Sequence, residues 1–253
     1  MTGAPIGVFD SGIGGLSVLG EIRRVLPDHD VVYVADQGFG MYGERSLDEV
    51  RRRTEEITGW MIDRGVGSVV LACNSASAAA LEHLRGRWPS FPFVGMEPAV
   101  KPAVEISGNR TIGVLATDAT FQGELFASLL DRFAGEHDVI AQACPGLASA
   151  IEDDDPELDR LIDRYVGEVQ KGGADVIVLG CTHYSLVGDR ISAAAGHAQV
   201  IDPAPAVARQ VARVIGDGGG GAISYLTTGD PERFARQLDR LGLDSSGVGS
   251  VAV

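Results

Sequence analysis

IGVFDSG at residues 6–12 returns as IGVLATDAT at 112–120, and VVLACNSAS at 69–77 returns as VIVLGCTHY at 176–184. The order of the pieces is the same in both copies. Phe9 and Cys73 are 73 − 9 = 64 positions apart, and Leu115 and Cys181 are 181 − 115 = 66. Each piece opens on a short β-branched run without polar alternation, the pattern of a strand buried on both faces. The repeat therefore predicts an α/β protein of two similar parallel-sheet domains related by an internal pseudo-repeat. Each domain presents a loop after its first strand and a cysteine after a later one. Ligands of open α/β sheets bind beyond the carboxyl ends of strands. If the domains face each other, Cys73 and Cys181 line one cleft from opposite sides, and that cleft is the expected active site.

Working outward, further short runs at 31–35, 93–95, 139–143, 199–201 and 223–228 predict strands. Amphipathic stretches at 15–25, 47–64, 77–87, 121–133, 155–171, 206–215 and 231–241 predict helices. This alternation places helices on both faces of parallel sheets. GDGGGG at 216–221 is expected to be a flexible turn. The first domain is expected over residues 1–96 with Cys73, and the second over 97–205 with Cys181.

A chain of 253 residues can bury a core without disulfides or metals. Its formal charge is 21 − 35 = −14, which repels phosphate backbones and argues against a nucleic-acid partner. No apolar run reaches the ~18 residues of a membrane span. The N-terminus has neither a basic nor a long apolar region, so no signal peptide is expected. Three cysteines is an odd number. A reduced cytoplasmic setting follows, and each thiol needs its own explanation.

Cys73 stands where a buried strand gives way to a helix, and a helix N-terminus lowers a thiol's pKa. Cys181 repeats that setting and has His183 two residues on, an imidazole able to pair with a thiolate. The plainer reading of either thiol is a small buried hydrophobe. Cys144, before Pro145, has no counterpart in the repeat and is expected to be structural. No second Cys/His pair lies at ligand spacing, so no metal is expected. The glycines of FDSGIGG open the next helix, suited either to an anion on backbone N–H groups or to a tight strand–helix turn. Their order is not that of a dinucleotide fingerprint. Two thiols facing one carbon acid can remove a proton on one side and deliver one on the other, inverting a stereocentre. Pyridoxal phosphate would need a Schiff-base lysine. The two lysines, Lys101 and Lys171, adjoin neither cysteine loop, so no cofactor is expected.

FDSGIGGLSV, YVAD followed by MYGERS, ACNSASA, GMEPAVKPA, IGVLAT, ACPGLASAIE and GCTHYSLV occur in the order found in glutamate racemases. From about Ile6 to Leu241 the chain resembles this family of the cofactor-independent aspartate/glutamate racemase superfamily. The resemblance implies racemisation of L- and D-glutamate by a two-cysteine acid/base pair, supplying D-glutamate for peptidoglycan synthesis and cell shape. It also directs residues 206–253 back to complete the first domain. It implies that Cys73 faces D-glutamate and Cys181 faces L-glutamate. Asp10 and Ser11 match positions that hold the substrate amino end and assist Cys73. Asn74, Ser75 and Thr182 match carboxylate-holding positions, Tyr42 and Gly43 the loop around the side-chain carboxylate, and Thr117 and Thr120 further polar positions. His183 and Glu152 match residues assisting Cys181, and Asp36 an acidic residue near Cys73. Departures stand at Met41, Ser75, Ala119 and Ser185, where the family usually has Pro, Thr, Gly and Pro. Two alternatives stay open: a superfamily racemase or epimerase for another acidic amino acid, and a binding or regulatory protein that kept the fold. A homodimer is the expected assembly.

Overall fold

Burial on both faces decides which runs of this sequence become central strands, and those strands place both cysteines. The computed structural model describes residues 3–216 and 218–253. Asp217, within the expected turn at 216–221, lies outside the described residues. The chain runs β1 (Ile6–Asp10), α1 (Leu16–Val25), β2 (Val31–Ala35), a 3-10 turn (Tyr42–Glu44), α2 (Leu47–Asp63), β3 (Ser68–Leu71), α3 (Asn74–Arg87) and β4 (Phe93–Gly95). It continues through α4 (Val100–Ile106), β5 (Thr111–Ala116), α5 (Asp118–Gln122), α6 (Glu124–Phe133), β6 (Asp138–Ala143), α7 (Leu147–Asp153) and α8 (Leu158–Lys171). The rest is β7 (Val176–Gly180), α9 (Thr182–Ser185), α10 (Gly188–Ala195), β8 (Gln199–Ile201), α11 (Ala204–Val214), β9 (Ile223–Thr227), α12 (Pro231–Arg240) and β10 (Gly249–Ser250).

These strands form two parallel sheets, ordered β10-β9-β2-β1-β3-β4 and β6-β5-β7-β8. The order β2-β1-β3-β4 in the first sheet is repeated as β6-β5-β7-β8 in the second, so the sequence repeat is a repeat of topology. β1 and β5 are the corresponding inner strands. β1 pairs Phe9 with Leu71 of β3, and β5 pairs Ala116 with Gly180 of β7. Cys73 and Cys181 therefore follow corresponding strands beside corresponding inner strands. The first sheet is extended by β9 and β10, which come from the end of the chain.

The cores follow the same plan. One face of the first sheet packs Ile6 and Val8 against α1, α11 and α12 through Leu19, Val211 and Phe234. The other packs Phe9 and Leu71 against α2 and α3 through Ile57, Met61 and Leu84. Ser46 and Glu49 start α2 with a capping box. In the second sheet Leu115 and Ile177 meet α7 and α8 on one side, while Val114 and Val178 meet α4 and α6 on the other.

Several boundaries differ from the sequence expectation. The helix expected at 77–87 begins at Asn74, so Cys73 is its N-cap. The helix expected at 121–133 is broken by Gly123, which is extended (φ −72°, ψ 141°). β6 and β8 are edge strands with half-buried or exposed residues rather than strands covered on both faces. The short helices α4, α7, α9 and α10 carry too few turns to show a 3.6-residue period.

Candidate active site

Cys73 and Cys181 line one cleft between the two sheets, together with Ser11, Met41, Gly43, Asn74, Ser75, Thr117, Cys144, Thr182 and His183. Glu44 and Asp118 also reach its wall, and neither arginine nor lysine does. Lys171 instead pairs with Glu168 at the surface. Asp10, Tyr42, Thr120 and Glu152 do not line the cleft; each touches a residue that does or flanks one in the chain.

Cys73 and Cys181 are N-caps of α3 and α9. The Cys73 thiol donates toward Ser11 Oγ at 3.8 Å. Burial pushes this thiol up, the Asp10 charge adds to that, and the Ala76 N–H at the start of α3 offsets only part of it. The expected lowering by the helix N-terminus is thus present but outweighed by desolvation. Asp10 is fully buried, and burial raises its pKa above the ordinary value. Its carboxylate accepts from Gly12 N–H at 2.7 Å, from the Ser11 hydroxyl at 3.3 Å and from the Thr182 hydroxyl at 2.9 Å. The Thr182 bond spans the two halves.

Cys181 Sγ lies 3.9 Å from His183 Nδ1. His183 Nε2 in turn meets Glu152 Oε2 at 2.7 Å. The same carboxylate oxygen accepts from Ile13 N–H at 3.0 Å. Of the two readings of the glycine loop, an anion on its N–H groups or a tight turn, the structure shows a carboxylate on it, the chain's own Glu152. A Cβ on Gly12 would sit 2.5 Å from Glu152 Oε2, and one on Gly14 would collide with the His183 ring. The glycines permit this close approach between halves, and neither has a positive φ.

Burial works against a charged His183, but hydrogen bonds to Cys181 and Glu152 and the Glu152 charge outweigh it and raise its pKa well above the ordinary value. Burial likewise works against ionised Glu152, yet His183, Ile13 and Gln37 hold it at about 2, below the ordinary 4.5. A carboxylate depressed on folding contributes stability above its unfolded pKa and loses it as pH falls through the folded value. A histidine raised on folding contributes below its unfolded value, 6.5, and loses it as pH rises through the folded one. The two belong to one ion pair, counted once. The stability lost in Glu152→Gln should therefore be greatest between about pH 4.5 and 6.5 and shrink on either side. Urea unfolding of both proteins from well below pH 4.5 to well above pH 6.5 checks this, and a difference that stays constant over that whole span contradicts it.

Elsewhere in the cleft Ser75 Oγ and Thr117 Oγ1 are 2.9 Å apart, and Thr117 Oγ1 and Thr120 Oγ1 are 3.0 Å apart. Asn74 is buried, and both polar atoms of its side chain lack a hydrogen-bond partner among the described residues. Tyr42 is held out of the cleft, donating to Asp36 Oδ2 at 2.6 Å. Asp36 itself pairs with Arg53 at 2.7 Å, so it anchors the loop before Gly43. Cys144 was expected to be structural; it forms part of the cleft wall and donates to the Gln142 carbonyl at 3.4 Å. Its signal was present in the sequence, since CPG follows β6 as the other thiols follow β3 and β7. Among the departures, Met41 lines the cleft, and the Ser185 hydroxyl bonds Asp202 Oδ1 at 2.9 Å.

Residues 14–211 match the family described as Asp/Glu/Hydantoin racemase. The chain belongs to this family. It is similar to the glutamate racemase of Roseiflexus sp. (strain RS-1), with 49% identity over 94% of this chain and 92% of that one. Among solved structures, glutamate racemase isoform RacE1 from Bacillus anthracis superposes with a TM-score of 0.89 at 29% identity, covering 100% of this chain and 99% of that one. Escherichia coli glutamate racemase, solved with L-glutamate and the activator UDP-MurNAc-ala, gives 0.88 at 29% identity over 99% of each chain. The resemblance read from the motifs, and the two-sheet α/β fold it implied, agree with these relatives. No described helix is long and apolar enough to cross a membrane.

Proposed function

We propose that this racemase-family chain interconverts L- and D-glutamate by a two-cysteine acid/base pair that needs no cofactor. It would thereby supply D-glutamate to the cytoplasmic steps of peptidoglycan synthesis. One observation carries the reading: thiols from two topologically equivalent strand ends line one cleft. In this reading Cys181 takes the α-proton of L-glutamate while Cys73 delivers one to the opposite face, and the roles reverse for D-glutamate. Asp10 and Ser11 hold the amino end and serve Cys73. Glu152 and His183 serve Cys181. Asn74, whose buried amide lacks a partner, would bind carboxylate together with Ser75, Thr117 and Thr182, while Thr120 braces Thr117. Gly43 stands at the side-chain carboxylate, with Tyr42 behind it. An unpartnered buried amide costs ~1–3 kcal/mol, and a bound carboxylate relieves that. Among the described residues neither arginine nor lysine lines the cleft, so N–H groups, hydroxyls and the Asn74 amide carry most of the contact to both carboxylates. We read residues 1–96 and 206–253 as one domain and 97–205 as the other.

The test is proton NMR of L- and of D-glutamate in D2O with protein and no added cofactor. The expected result is loss of the α-proton signal together with racemisation. Exchange and inversion of another acidic amino acid, with glutamate inert, would assign a different substrate; no exchange with any amino acid would overturn the racemase reading.

A further inference from the structure

The Glu152 carboxylate is held from behind by side chains that no catalytic motif contains. Gln37 Nε2 donates to Glu152 Oε1 at 2.5 Å and to Gln237 Oε1 at 2.6 Å. Gln237 Nε2 donates to the Glu152 carbonyl at 3.0 Å and to Oε1 at 3.3 Å. The Thr227 hydroxyl, at the end of β9, donates to Gln37 Oε1 at 3.1 Å and fixes which way that amide points. Oε1 thus takes two amide donors, while Oε2 takes Ile13 N–H and faces His183. With both oxygens occupied, the carboxylate has one orientation, and the imidazole it holds has one as well.

These donors come from the first sheet and its terminal helix α12, whereas Glu152 stands on α7 beside the second sheet. α7 ends in Glu152 and Asp153, with Asp154 next in left-handed backbone (φ 55°). Acids at a helix C-terminus oppose its dipole. α12 answers from one face: Arg233 pairs with Asp153 at 2.6 Å, and Arg240 donates to the Ile151 carbonyl at 3.0 Å. Gln237, between them in sequence, is buried.

We propose that Gln237, with Gln37 beside it, is a positioning residue for racemisation: it holds Glu152 against His183 and so keeps the imidazole aimed at Cys181. The C-terminal helix thereby sets the geometry of one of the two proton-transfer steps. This rests on the reading of Glu152 and His183 as serving Cys181.

The experiment compares wild type, Gln237→Met and His183→Asn using L- and D-glutamate deuterated at Cα. Methionine keeps the volume and removes both donors. In Gln237→Met, kcat/KM should fall about tenfold for both enantiomers, because an equilibrium between mirror images ties the two values together. The isotope effect should rise with labelled L-glutamate, whose deuterium Cys181 removes, and fall with labelled D-glutamate. An equal loss with unchanged isotope effects, or no loss, overturns the proposal. If His183→Asn shifts the two isotope effects apart and Gln237→Met does not, the proposal fails and the reading of the site stands. If neither does, the reading of the site fails too. Should Gln237→Met lower the melting temperature, Gln37→Met, at a half-buried loop position, is expected to give the same opposed shifts and decides the matter.

Discussion

Cys73→Ser and Cys181→Ser should each lower racemisation by at least about 10²–10⁴-fold, the usual worth of one positioned proton-transfer group. Serine keeps the size and the place at the head of α3 or α9, but a hydroxyl gives up its proton far less readily than a thiol. The loss is the same in kind for both variants, because inversion needs both partners. Their partial reactions should differ. Elimination from an amino acid with a leaving group on its β-carbon needs one proton abstraction. Cys73→Ser should retain it for the L-enantiomer, through Cys181, and Cys181→Ser for the D-enantiomer, through Cys73. Cys144→Ser is the control. Cys144 shares the cleft wall, yet its thiol already donates to the Gln142 carbonyl, a bond serine keeps, so racemisation should stay near wild type. Rates for the three variants under reducing conditions check this. Activity lost in Cys144→Ser and kept in either of the others would assign the facing pair wrongly.

The fold was legible because the chain carries its plan twice. β1 and β5 are mostly apolar and buried almost throughout, and their recurrence ahead of β3 and β7 marks two like parallel sheets with a thiol after a corresponding strand of each, while the strand order is seen only in the structure. What was not legible depends on tertiary approach. Nothing local distinguishes Gln237 from any other polar residue of an amphipathic helix; only the packing of α12 on the end of α7 brings it to Glu152. The direction of the Cys73 shift was misjudged for a related reason. A helix start can be read from sequence, but the depth of burial that overrides it comes from two halves closing together. The glycine loop was half legible: a close approach was foreseen, while its partner proved to be Glu152 and His183 of the other half.

Asp10→Asn should separate charge from geometry on the Cys73 side. Asp10 is buried, and its oxygens are tied to Gly12 N–H and to the Thr182 hydroxyl. Asparagine can keep its oxygen on Gly12 and turn its NH2 to Thr182, whose hydroxyl then accepts instead of donating. The loop should therefore keep its shape while the charge disappears. Two consequences of opposite sign follow. The Asp10 carboxylate contributes to pushing the Cys73 thiol up, so its removal should bring that thiol down, and alkylation of Cys73 should begin at lower pH than in wild type. Racemisation should nonetheless fall by about 10–100-fold, the worth of ~1.5–3 kcal/mol for a hydrogen bond to a charged group, because in the proposed site Asp10 stands directly behind Ser11 and Thr182 of the cleft wall, on the side assigned to the substrate ammonium. A more acidic thiol in a slower enzyme would mean that Asp10 acts on the substrate more than on Cys73. If racemisation holds within a few-fold while the thiol titrates lower, Asp10 has no role in holding the amino end, and Ser11 and the backbone must do so alone.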